Sequence, residues 1–176
     1  MYKPQIITTA DGSKTLFIDE MREQYHSVNG ALTESDYVYL RQGYDFHPVQ
    51  QPVVLEVGFG TGLNCLLTAL RAEKQQRETI YYTLEKYPLA KNITDKLNYG
   101  ALISEEAEQL FQKIHTCEWG KKEQISPFFH LNKLKLDITR DELNKVTPCH
   151  IVYFDAFGPD KQPEMWTSSV FGKVFE

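Results

Sequence analysis

The hydrophobic and polar positions of this chain change character at about residue 50. Before that point the pattern is short-ranged. Ile6-Ile7-Thr8-Thr9 and Thr15-Leu16-Phe17-Ile18 flank Asp11-Gly12-Ser13, and two such runs around an Asp-Gly turn predict a β-hairpin. Residues 25–31 lead into 33–40, read as a helix or an extended cover segment. After Pro52 the apolar positions gather into runs that end in acids and glycines. Residues 53–57 predict a buried strand, and about 62–75 a helix carrying Leu63, Leu66, Leu67 and Leu70. Residues 80–85 predict a second strand, with short helices over 89–97 and 104–114. Residues 128–137 read as a hairpin or one long strand that alternates over 131–136, and 141–144 as a brief helix. Residues 149–155 form a second continuous apolar run, the pattern of a strand covered on both faces. Another amphipathic helix begins at Trp166 and carries Val170, Phe171, Val174 and Phe175.

Strands that alternate with helices predict an α/β fold, a doubly wound and mostly parallel Rossmann-like sheet with an N-terminal hairpin extension. The chain divides into a hairpin and cover segment, 1–50, and a sheet domain, 51–176. No further strand follows the helix after 149–155. That strand is therefore expected to present an apolar edge, as in a chain lacking its C-terminal strands.

The junction Val53-Val54-Leu55-Glu56-Val57-Gly58-Phe59-Gly60-Thr61-Gly62-Leu63-Asn64 narrows the chemistry. A strand that passes through a glycine-rich turn into a helix is a nucleotide-type binding element, because glycine permits positive φ and leaves no Cβ between backbone and ligand. The dinucleotide fingerprint is Gly-x-Gly-x-x-Gly. Here the spacing is Gly-x-Gly-x-Gly, with Glu56 two residues ahead, and it resembles motif I of the Rossmann-type S-adenosylmethionine (SAM) methyltransferases. Ligands of such sheets bind outside the carboxyl ends of the strands. Four acids recur there: Glu56, Glu85, Asp137 and Asp155. Glu85 suits the two ribose hydroxyls, Asp137 the adenine amino group, and Glu56 the ammonium of the methionine moiety. Gly58, Gly60 and Gly62 form the turn, and Asn64 and Lys86 complete the candidate cofactor set.

Composition trims the remaining possibilities. With 41% hydrophobic and 24% charged residues in 176, the chain can bury a core of ordinary size. No apolar run approaches the roughly 20 residues of a membrane span, and the N-terminus has no secretory h-region, which predicts a cytoplasmic protein. Cys65, Cys117 and Cys149 are scattered, so neither disulfides nor a metal site are expected. The net charge of −5 counts against a broad non-specific RNA surface. Lys91, Lys121-Lys122 and Lys133-x-Lys135 are the candidates for a local basic patch, or simply solvated faces.

Three segments together resemble one family. Residues 56–64, Leu84-Glu85-Lys86-Tyr87-Pro88-Leu89, and the stretch from Tyr153 to Thr167 (Tyr-Phe-Asp-Ala-Phe-Gly-Pro-Asp-Lys-Gln-Pro-Glu-Met-Trp-Thr) are similar to the methyltransferase domain of the bacterial tRNA-modifying MnmC proteins. The preamble Tyr25-His26-Ser27-x-x-Gly30-Ala31-x-x-Glu34-Ser35 resembles that family's N-terminal signature. The resemblance implies SAM as cofactor and, as substrate, the primary amine of 5-aminomethyl-2-thiouridine at the tRNA wobble position, methylated to 5-methylaminomethyl-2-thiouridine. An oxidase partner would lie on a separate chain. Asp155 is the candidate catalytic group, an acceptor that orients the amine. Phe157 and Trp166 are candidate stacking surfaces, Pro159 stiffens the loop, and Lys161 is placed to meet a phosphate. Two other readings stay open: methylation of a small-molecule or protein amine, and a truncated SAM-binding fragment without activity. A nicotinamide oxidoreductase is disfavoured by the glycine spacing and by the acids at four strand ends.

Overall fold

A computed structural model describes residues 3–175. The hairpin forms as the Asp-Gly turn requires: β1 (Gln5–Thr8) pairs antiparallel with β2 (Lys14–Ile18), and Gly12 takes φ 83°. The short strand β3 (Glu23–Gln24) adds to β2, making a three-stranded sheet. The cover segment is helical. α1 (Ala31–Ser35) continues into a wide π-type turn over Asp36–Tyr44, where the Asp45 N–H donates to the Leu40 carbonyl five residues back (2.8 Å).

The main sheet holds β4 (Val53–Val57), β5 (Thr79–Glu85), β6 (Lys122–Ser126), β7 (Phe129–Lys135) and β8 (Ile151–Phe154) in the order β6-β7-β5-β4-β8. Only β6 is antiparallel. β4 is flanked in parallel by β5, with Glu56 opposite Thr83, and by β8, with Val57 opposite Phe154. Strand order therefore reverses beside β4, and the carboxyl ends of β5, β4 and β8 open on one crevice.

Strand alternation sorts the side chains into two layers. On one face Val54, Tyr81, Phe129, Leu131 and Tyr153 pack under α2 (Leu63–Gln75), α5 (Glu105–Thr116) and the N-terminal helix. On the other, Leu55, Val57, Tyr82, Leu84 and Leu134 meet Val170 of α6 (Ser168–Phe175). α5 starts where Ser104 accepts the Ala107 N–H (3.1 Å), with Glu105, Glu106 and Glu108 in its first turn.

Several expectations need correction. Of the two readings of residues 128–137 the single strand holds, as β7, and the hairpin does not: the hairpin partner of β7 is β6, which the polar sequence of 122–126 conceals on an outer edge. Residues 141–144 form turns rather than a helix. The last strand is shorter than 149–155, and the helix expected over 89–97 contracts to α3 (Lys91–Thr94), followed by the unforeseen α4 (Tyr99–Ile103). The helix that begins at Trp166 in the sequence reading begins at Ser168, after a 3-10 turn over Pro163–Met165. β8 lies at the second edge of the sheet, and its Val152 is 38% exposed. No helix among the described residues is long and apolar enough to cross a membrane.

Candidate active site

The loop between β4 and α2 takes a shape that side chains forbid. Gly58, Gly60 and Gly62 have φ of 97°, 49° and 76°. A Cβ on Gly58 would stand 2.3 Å from the carbonyl oxygen of Asp155, so the loop and the end of β8 touch backbone to backbone. The Gly58 and Phe59 N–H groups both donate to the Leu84 carbonyl (3.0 and 3.1 Å), which ties the loop to β5. From α5, His115 Nε2 donates to the Thr61 carbonyl (3.1 Å). Burial first, and then the neighbouring Lys133 ammonium, push the His115 pKa down to about 4, so the ring is neutral.

The four acids meet different fates. Glu56 lies within β4 rather than beyond its end, and it is wholly buried. One carboxyl oxygen accepts from Thr83 Oγ1 (2.6 Å), and the other, Oε1, has no partner. Desolvation holds its pKa well above the carboxylate range. Glu85 closes β5 and bridges two loops, accepting from the N–H of Gly60 (3.0 Å) and of Tyr87 (2.7 Å). Asp137 lies two residues past β7. It accepts from Thr139 N–H (3.1 Å) and Oγ1 (2.6 Å), and pairs with Lys86 Nζ at 2.9 Å. Burial works against its charge, but these bonds win and lower its pKa. Lys86 is thus the partner of Asp137, half exposed and stacked against Tyr87.

Asp155 follows β8 directly, and both of its oxygens are held. Oδ1 accepts from the Tyr39 hydroxyl and Oδ2 from Asn64 Nδ2, each at 2.8 Å. Asn64 therefore braces Asp155 from the first turn of α2, while its own Oδ1 is buried and unpartnered. Burial raises the Asp155 pKa to about 6, offset in part by those two bonds, with the Glu34 charge raising it further. Asp155 and Tyr39 line a cavity of about 360 Å³ together with Glu23, Tyr25, His26 and Glu34. His26 bonds to the Thr61 hydroxyl (2.8 Å), and burial pushes its pKa down to about 4. The cavity is consequently anionic. A second cavity of about 300 Å³ lies across the glycine loop, against Phe59, Gly60, His115, Trp119 and Lys133.

On the substrate side the predicted residues separate. Phe157 packs edge-on against Tyr25 (5.2 Å between ring centres), beside the cavity. Trp166 instead joins Phe154 and Phe171 on the opposite face, and its indole N–H fastens the loop through the Phe157 carbonyl (2.8 Å). The cause is strand alternation, since Phe154 and Asp155 point to opposite sides. Pro159 is exposed, and Lys161 lies 3.3 Å from Asp160. Lys133 is no surface cation. It is 1% exposed, donates to the Ile114 (2.8 Å) and His115 (3.1 Å) carbonyls at the end of α5, and faces the Trp119 ring. Lys91 and Lys121 pair with Asp95 and Glu118. Sequence reasoning missed Tyr39, because nothing local distinguishes it from Tyr37, which is exposed.

Residues 103–176 match a family described as S-adenosyl-L-methionine-dependent methyltransferase. The bifunctional protein MnmC of tRNA 5-methylaminomethyl-2-thiouridine biosynthesis from Actinobacillus pleuropneumoniae serotype 5b is 27% identical over 94% of this chain, covering 27% of its own length. Its counterpart in Paraburkholderia phymatum is 31% identical over 84% of this chain and 24% of its own. The crystal structure of MnmC2 from Aquifex aeolicus superposes with a TM-score of 0.74 at 26% identity, covering 99% of this chain and 57% of that one. The chain belongs to the MnmC-type methyltransferase family. It spans about a quarter of the length of the curated MnmC relatives it matches.

The MnmC-type site fits the cofactor that the family's description names. The glycine turn is bare of side chains at the switch point, and Glu85 offers a carboxylate occupied only by backbone donors. Beneath them, Glu56 Oε1 is a buried polar atom without a partner among the described residues. Hydroxyls, an ammonium and a flat base are the groups that such a set receives.

Proposed function

We propose that this chain carries methyl transfer from SAM to a primary amine, and that the amine is the aminomethyl group of a tRNA wobble uridine, the precursor of the 5-methylaminomethyl-2-thiouridine that its MnmC relatives are named for. The observation that carries the reading is Asp155, a carboxylate with both oxygens fixed, beside the glycine turn and facing an anionic cavity. Bound SAM supplies a methyl group of high intrinsic reactivity. Gly58, Gly60, Gly62 and Glu85 would hold its nucleoside and its tail, with Glu56 beneath the turn and Asp137 and Lys86 at the outer end.

An aliphatic ammonium has no lone pair and must shed a proton before it attacks. Glu23, Glu34 and Asp155 favour the cation on arrival. With a pKa near 6, Asp155 is mostly ionised at pH 7. Each of its oxygens keeps an acceptor site beside the bond from Tyr39 or Asn64. It can therefore take a hydrogen bond from the amine, fix its direction, and pass a proton toward water. Phe157 and Tyr25 would face a base drawn out of the anticodon stack.

The test is incubation of the chain with SAM and tRNA bearing the unmethylated aminomethyl group, followed by mass spectrometry of the wobble nucleoside. A gain of one methyl group is the expected result, and its absence while free small amines are methylated would refute the tRNA assignment. The net charge of −5 and the anionic cavity favour that second reading, methylation of a small or protein-borne amine.

A further inference from the structure

The N-terminal helix lies apart from the glycine turn in sequence, yet three of its side chains, Glu34, Val38 and Tyr39, reach the cavity of Asp155. Tyr39 lies in the π-type turn, where the wider backbone spiral carries its hydroxyl to Asp155 Oδ1 at 2.8 Å, and its ring leans on Tyr153 (5.0 Å). Such turns recur at functional sites. Glu34, in α1, lines the same cavity and uses one oxygen, Oε2, to accept the Ser27 N–H (2.7 Å). We propose that this helix is a control element for the site: Tyr39 is a positioning residue that aims and ionises Asp155, and Glu34 is its electrostatic counterweight.

The surroundings of Asp155 support the division of roles. From the helix come Tyr39 and Glu34; from residues 23–27 come Glu23, Tyr25 and His26; from the strand floor comes Glu56. Among the described residues no lysine or arginine lines the cavity, His26 is neutral, and Glu56 is buried and held toward its protonated form. Without a cation to balance it, the Asp155 charge depends on its two hydrogen bonds, from Tyr39 and Asn64. Removing the Tyr39 donor disfavours ionisation, whereas removing the like charge of Glu34 favours it. Two substitutions on one helix are thus expected to act in opposite directions, which a purely structural role would not produce.

Both can be made conservatively. Tyr39→Phe keeps the ring on Tyr153, and Glu34→Gln keeps an oxygen for the Ser27 N–H. Carbon-detected NMR titration of side-chain carboxyls, with the Asp155 signal assigned by its loss in Asp155→Asn, reads the ionisation in the cofactor-free protein. The wild-type midpoint is expected at about 6. Tyr39→Phe is expected to move it up and Glu34→Gln to move it down. If Tyr39→Phe does not fold, Glu34→Gln alone still reads the balance. An unmoved midpoint, or movement of both in one direction, overturns the proposal.

The rate consequence rests on the methyl-transfer reading. Tyr39→Phe should lower kcat roughly ten- to a hundredfold, with the KM for SAM within about twofold, and shift the acid limb of the pH–rate profile upward. Midpoints that move as stated without any methyl transfer in the wild type sink the function and leave the control element standing. Intact methyl transfer with fixed midpoints does the reverse.

Discussion

Replacing Asp155 by Asn should make the protein more stable and less active at once. The Asp155 carboxyl titrates at about 6 when folded, against an ordinary value of 3.8. A carboxyl whose folded-state pKa lies above its unfolded value binds its proton more tightly in the fold. Its ionisation therefore penalises the folded state above the folded pKa, and the penalty fades as pH falls toward the unfolded one. Roughly two units amount to a penalty of roughly 3 kcal/mol at pH 7, and of less than about 1 kcal/mol at pH 4. The amide keeps the carboxylate's shape and carries no charge. It loses at most one of the bonds from Tyr39 and Asn64, at a cost of about 1 kcal/mol. The net gain is about 2 kcal/mol at pH 7, or roughly 4–8 °C in Tm for a chain of this size. Near pH 4 the gain disappears, because the remaining penalty no longer exceeds the cost of the lost bond. Methylation should fall by about a hundredfold or more, with SAM affinity within a few-fold. Urea denaturation at pH 7 and pH 4, single-turnover methylation and calorimetry with S-adenosylhomocysteine measure these outcomes. A variant no more stable than wild type at pH 7, or stabilised equally at both pH values, would refute the argument that the site holds a costly charge. Wild-type turnover would remove Asp155 from the chemistry.

Gly58→Ala combines a φ of 97° with a Cβ placed 2.3 Å from the Asp155 carbonyl, so it should cost about 3 kcal/mol or more in urea denaturation and abolish S-adenosylhomocysteine binding in calorimetry. Stability close to wild type would mean that the loop is not locked against β8. Glu85→Gln still offers an oxygen to the Gly60 N–H, so the fold should hold within about 1 kcal/mol while S-adenosylhomocysteine binds roughly tenfold more weakly; unchanged affinity would end its assignment to the ribose. Lys133→Met leaves two carbonyls at the end of α5 without their donor and should cost roughly 2 kcal/mol. The same change removes a charge that depresses His115, so proton NMR should show the His115 pKa rising from about 4, and a fixed value would contradict the contact.

Much of this was legible in the sequence, for a physical reason. The glycine spacing after Glu56 encodes a backbone conformation directly, since only glycine enters those φ values cheaply. The apolar run at 53–57 encodes burial on both faces of β4, whereas the run at 149–155 overstated the cover of its neighbour β8, whose Val152 is exposed at the sheet edge. Where the pattern failed, the signal was weak. β6 is polar because it lies on an edge, and 141–144 has helix-forming residues without an apolar stripe. Lys133 read as a surface cation because the sequence does not show that the end of α5 supplies carbonyls to receive it.

Local sequence determined the cofactor turn, the alternation of strands and helices, and the acids at or near the strand ends, because each is a matter of neighbouring residues. Only the tertiary structure decided which of those acids work together. Tyr39 meets Asp155 across 116 residues and Asn64 meets it across 91, while Trp166, close to Asp155 in sequence, packs on Phe154 at the other face of the sheet. Hydrogen bonds over such separations depend on how the sheet is ordered and covered, and no short stretch of the chain contains that order.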